Sequence, residues 1–126
     1  MVEKVSVFKP GWVRTSATER APLNDERLSP EDSAALGAYL ENGTVVMHTT
    51  DRTRDVLADN DDKVVPLTVR TDGKYVWTGP VAYYVQKYAV APEREFIDYV
   101  KARKYETRTP TDAEIAEAIA TVRGRR

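Results

Sequence analysis

The chain has 126 residues, 41% of them hydrophobic and 31% charged, with no cysteine and a net charge of −1. That length supports a core within a single domain, 1–126. Absent thiols exclude disulfides and zinc-thiolate centres and fit a cytoplasmic location. No apolar run approaches bilayer length, and MVEKVSVFKPGW lacks the apolar segment of a Sec signal, so we expect no membrane association.

Charge is divided unevenly. Residues 1–62 carry seven Lys/Arg against twelve Asp/Glu, and residues 63–126 carry twelve against eight. Such asymmetry steers a charged partner, although two solvated faces of an ordinary domain show it as well.

Alternating Val5 and Val7, followed by Phe8, predict a first strand over Val2–Val13, interrupted at Pro10-Gly11. Residues 15–28 are polar and read as a loop or mobile segment. Ser29-Pro30-Glu31-Asp32 is a helix start: a hydroxyl cap, a proline suited to the first turn, and two acids at the positive end. Leu36, Tyr39 and Leu40 form its inward stripe, and Asn42-Gly43 stops it. Thr44–Thr49 is β-branched and predicts a strand. Thr50–Asp62 is polar and acidic, with Val56 and Leu57 anchoring a short turn.

A central hairpin over 64–77 follows. Val65, Leu67 and Val69 alternate along its first arm. A two-residue Asp72-Gly73 loop would put Val76 on their face. A three-residue Thr71-Asp72-Gly73 loop, with Gly73 as a bulge, would put Tyr75 and Trp77 there instead. Burial of two large aromatics favours the second. Gly79-Pro80 opens a helix with Val81, Tyr84, Val85 and Tyr88 on one face. Ala91-Pro92-Glu93 opens another, burying Phe96, Ile97 and Val100. Thr109-Pro110-Thr111-Asp112 echoes the earlier Ser-Pro-x-Asp start and leads a helix burying Ile115, Ala118, Ile119 and Val122. Residues 123–126 read as a frayed basic tail. The expected fold is α+β, a small, mostly antiparallel sheet packed by three to four helices.

Catalytic signatures are missing. His48 is the lone histidine, in a strand, so a Ser-His-Asp or Cys-His arrangement has one imidazole to draw on, and no G-x-S-x-G occurs. Surface or structural duty is the expectation for it, and we expect no enzyme. Asp51, Asp55, Asp59, Asp61 and Asp62 form the densest acidic patch. As an EF-hand loop it fails: Lys63, Val64 and Arg70 stand where an oxygen ligand, the glycine and the bidentate Glu belong. No metal and no cofactor are expected, and no Walker loop, G-x-G-x-x-G or H-E-x-x-H is present. The patch reads either as a solvated loop or as an acidic docking surface. Among the clustered aromatics, Trp77, Tyr84 and Tyr88 face inward by periodicity. Tyr83 and Tyr99 lie at the edges of their stripes and are the interface candidates. Cations of the second half are scattered, and a net charge of −1 argues against a strong phosphate-backbone binder.

Arg70-Thr71-Asp72-Gly73, Tyr75-Val76-Trp77, Tyr83-Tyr84 and Val90-Ala91-Pro92, together within residues 64–103, resemble a pattern in small uncharacterised actinobacterial proteins of immunity type. That resemblance implies an inhibitor of a toxin-like enzyme encoded beside it and assigns no site residues. The expected partner is another protein, a basic toxin-type enzyme, met by Asp51, Asp55, Asp59, Asp61, Asp62, Tyr83 and Tyr99. The alternative is a nucleic-acid-associated or phage-type accessory protein.

Overall fold

The computed structural model describes residues 2–9 and 22–124. Residues 10–13 of the expected first strand, 15–21 of the expected loop and 125–126 of the tail lie outside them.

The fold is α+β: the described residues form four helices, a mostly antiparallel four-stranded sheet and a separate two-stranded ribbon. The first strand shrinks to β1 (Glu3–Lys4), which runs parallel to a later strand, β6 (Tyr75–Thr78). Residues 22–28 form neither helix nor strand, but they are tied down. Asn24 N–H donates to the Val7 carbonyl at 2.8 Å, and Leu28 N–H to that of Ala89 at 2.7 Å. Helix α1 (Pro30–Glu41) begins as its sequence dictates, with the Ser29 hydroxyl accepting from Asp32 N–H at 3.1 Å. Leu36, Tyr39 and Leu40 are buried.

Strand β2 (Thr44–Met47) pairs antiparallel with β5 (Val69–Thr71), which pairs antiparallel with β6, giving the order β1-β6-β5-β2. The expected long first arm of the hairpin is divided. Its beginning is β4 (Lys63–Pro66), which leaves the main sheet to pair with β3 (Arg52–Arg54). Nothing in the charged triplet Arg52-Thr53-Arg54 announces a strand; its pairing with β4 makes it one.

The expected hairpin register is corrected too. Thr71 opposes Val76 and Val69 opposes Thr78, so Val76 shares a face with Val69, and Tyr75 and Trp77 point to the other side. Asp72 N–H donates to the Tyr75 carbonyl, which makes Gly73-Lys74 the two-residue loop. Gly73 takes a φ of 97°, accessible to glycine at no steric cost. The expectation assumed one wet face, whereas helices cover both. Trp77, Tyr75 and Val65 belong to the main core with α1, α2 (Gly79–Tyr88) and α3 (Arg94–Ala102). Val2, Val69, Val76 and Ala118 form a smaller core under α4 (Asp112–Val122).

Helix α2 starts where Pro80 places it and α3 two residues past Pro92, with Glu93 at its cap position; they bury Val81, Tyr84 and Val85, and Phe96, Ile97 and Val100. Helix α4 starts two residues later than the sequence echo suggests. Thr111 caps it in a capping box with Glu114, and Ala118 alone is fully buried, with Ile115, Ile119 and Val122 half-buried. Trp77, Tyr39, Tyr84 and Phe96 are fully buried, each contributing about 1.5–3 kcal/mol. Where β4 meets α2 the fit is tight: a Cβ on Gly79 would lie 2.0 Å from the Pro66 carbonyl oxygen.

Candidate functional site: an acidic ribbon clamped to a tyrosine helix

Strands β3 and β4 with their connecting loop project the acidic segment beside α2. Asp51, Asp59, Asp61 and Asp62 are exposed, as expected. Asp55 is the exception and corrects the expectation of a uniformly exposed patch, being only 1% exposed. Its Oδ2 accepts from the hydroxyls of Tyr83 and Tyr88, each at 2.7 Å, and its Oδ1 accepts from Leu57 N–H at 2.8 Å. The Lys87 ammonium lies 3.8 Å from Oδ2 and donates to the Tyr83 hydroxyl at 3.2 Å. A buried charge needs this full set of partners. Asp55 and Tyr83 therefore satisfy each other, and Asp55 serves to hold the ribbon in place.

Helical spacing explains the clamp. Tyr83 and Lys87 are four residues apart, as are Tyr84 and Tyr88, so their tips line one side of α2. Tyr84 adds a third attachment: its hydroxyl accepts from Val56 N–H at 2.8 Å and faces the Arg54 carbonyl. Burial alone would raise the Asp55 carboxyl pKa. The hydrogen bonds from Tyr88, Tyr83 and Leu57 N–H, with the Lys87 charge, outweigh burial and hold it below the ordinary aspartate value. The same contacts push the other groups up. Tyr83 rises through burial and its bond to Asp55, Tyr88 chiefly through its bond to Asp55, and Lys87 through its bond to Tyr83 and the surrounding negative charge.

The exposed side of the ribbon is mixed in character. Leu57 and Val64 are 46% and 44% exposed, two of the three large exposed apolar side chains among the described residues. Arg54 pairs with Asp61 at 3.1 Å, which reduces that acid's share of the field. Next to the ribbon, a cleft of about 160 Å³ is lined by Pro66, Trp77, Gly79, Ala82 and Tyr83, with Glu41 and Arg70 contributing charge.

Tyr99 lies elsewhere. Its ring packs at 5.1 Å from that of Tyr75, with the Lys74 and Arg103 cations both close to it, and none of these belongs to the ribbon. His48 is exposed just beyond β2. Among the described residues no group of three His, Asp or Glu side chains is arranged to hold a metal ion, and no helix is long and apolar enough to cross a membrane.

Sequence reasoning missed the clamp and a second buried carboxylate. Asp72 is fully buried; its Oδ1 accepts from the N–H groups of Lys74 and Tyr75, and its Oδ2 from the Tyr39 hydroxyl. Its carbonyl accepts from Arg108 at 2.8 Å, and Arg108 also grips both oxygens of Glu114 at 3.0 Å. The adjacent pair Tyr83-Tyr84 was the available signal for the clamp, since two neighbouring helical tyrosines cannot both point straight into one core. Compared with known proteins, the chain matches no family model, no curated protein and no solved structure.

Proposed function

We propose that this protein is a non-catalytic protein-binding domain, an immunity-type inhibitor that presents its acidic ribbon to a basic cleft on a toxin-like enzyme. The observation that carries the reading is the clamp. A ribbon outside the main sheet is fixed by a buried carboxylate, while Asp51, Asp59 and Asp62 remain exposed beside Leu57 and Val64. Fixing a surface in advance lowers the entropic cost of association. Exposed acids raise the association rate toward a basic partner, and apolar neighbours that become buried slow dissociation. Tyr83 lines the neighbouring cleft, which suits an apolar side chain of the partner.

The test uses the partner captured from the native cell. Reversing Asp51, Asp59 and Asp62 to Lys should slow association about tenfold or more at low salt and flatten its ionic-strength dependence. These side chains are exposed, so the fold should survive. Unchanged association by the triple variant would remove the ribbon from the interface.

A further inference from the structure

At the far end of the hairpin from the ribbon, a hollow of about 300 Å³ is lined by Gly73, Lys74, Tyr99, Arg103, Arg108 and Glu114. We infer that this hollow binds a phosphate monoester, the terminal phosphate of a small molecule, through Lys74, Arg103 and Arg108. The inference is independent of the ribbon and of any protein partner.

Three cations face one carboxylate in its lining, and positive charge remains in excess there even with the buried Asp72 carboxylate behind the turn counted. Several other cations of the surface are spoken for: Lys9 by Asp25, Arg54 by Asp61, Arg94 by Glu26 and Lys101 by Asp32. Lys74 and Arg103 pair with no carboxylate among the described residues. Both are nonetheless positioned. The Lys74 ammonium sits 5.6 Å and the Arg103 guanidinium 5.7 Å from the Tyr99 ring centre, and Arg103 Nε donates to the Glu106 carbonyl at 3.2 Å.

Arg108 is fixed more firmly, by Glu114 and by the Asp72 carbonyl, with part of its five-donor fork left over. Glycine at 73 makes this possible, because a Cβ there would lie 2.0 Å from Arg108 Nη1. The backbone that carries Arg103 past α3 is strained: Lys104 and Tyr105, neither of them glycine, take φ values of 56° and 60°. Consecutive left-handed residues cost free energy, and such strain concentrates where side chains must be placed for binding.

The chemistry selects the ligand. A monoester carries a charge of about −1.5 to −2 near neutral pH and three acceptor oxygens, which matches the excess positive charge and a planar donor fork. A diester or a carboxylate carries one negative charge. A polynucleotide needs a track of cations, and Lys101 on the same helix is already paired with Asp32.

The experiment titrates the full chain with phenyl phosphate in chloride buffer, following backbone amides by NMR. Saturable shifts should centre on residues 73–74, 99–108 and 114, with a dissociation constant of about a millimolar or below. Lys74→Ala combined with Arg103→Gln should weaken binding about tenfold or more, and methyl phenyl phosphate and a short DNA duplex should bind about tenfold more weakly than the monoester. Lys74→Glu, at an exposed position, should abolish binding by itself and guards against any disturbance at the end of α3. Non-saturating shifts, binding indifferent to Lys74→Glu, or equal affinity for the diester or the duplex would overturn the assignment.

Discussion

At the scale of single residues, the two buried carboxylates carry the sharpest consequences. Removing the Asp55 acceptor leaves two tyrosine hydroxyls and the Leu57 N–H without it. Asp55→Ala should lower stability by about 2–3 kcal/mol in urea unfolding, with hydrogen exchange rising across residues 52–66 first. The pH dependence has a definite sign. Because the folded Asp55 pKa is depressed, the unfolded chain takes up the proton first as pH falls. Its stabilisation is complete above about pH 5 and is lost from about pH 4 downward through the folded value. Asp55→Asn should flatten that acid limb, and an unaltered limb would show that the carboxylate is not the group titrating. Tyr39 behaves differently. Burial, the bond to Asp72 and its charge push the Tyr39 hydroxyl far above the ordinary tyrosine value. Tyr39→Phe strands a fully buried carboxylate oxygen and should cost about 1–3 kcal/mol by thermal or urea unfolding.

At the scale of elements, helices were legible and strand partners were not. Ser29, Pro80 and Pro92 mark starts through groups within one turn, so local sequence suffices for them. Strand β3 consists of Arg52-Thr53-Arg54 and gains its identity from β4 twelve residues away, so no local pattern reveals it. The hairpin register failed for a related reason. Alternation identifies a face only when the other face is wet, and here α4 covers Val69 and Val76 while α2 and α3 cover Tyr75 and Trp77. Of the candidate site, the acidic loop and the half-buried Tyr83 were readable. The inward turn of Asp55 was not, because it depends on hydroxyls some thirty residues downstream. Helix ends supply a further test. Ala89 ends α2 in the left-handed region at φ 57°, where an L side chain is strained. Ala89→Gly should therefore raise stability by up to about 1 kcal/mol, read as a shift in the urea midpoint at constant slope.

At the scale of the whole molecule, the sheet divides two cores of unequal size. Among the described residues, eighteen buried ones form the core with α1, α2 and α3, against four beneath α4. Helix α4 is held by that small core and by a few polar ties: Glu117 to the Val2 N–H, the Thr121 hydroxyl to the Val2 carbonyl, and Glu114 to Arg108. A helix of eleven residues is marginal by itself. Ala118 is fully buried at the centre of this layer, so Ala118→Asp would force a carboxylate into an apolar site. The cheaper response is for α4 to undock and melt. Hydrogen exchange should then rise along residues 112–122 and 2–5, while amides of α1, α2 and α3 keep their protection. The ribbon is joined to the larger core through Val65, Val56 and the Asp55 clamp, so amides of residues 52–66 should keep their protection in the same variant. Loss of protection throughout the chain would instead mean that both layers fold as one cooperative unit, with the ribbon's rigidity dependent on α4 as much as on α2.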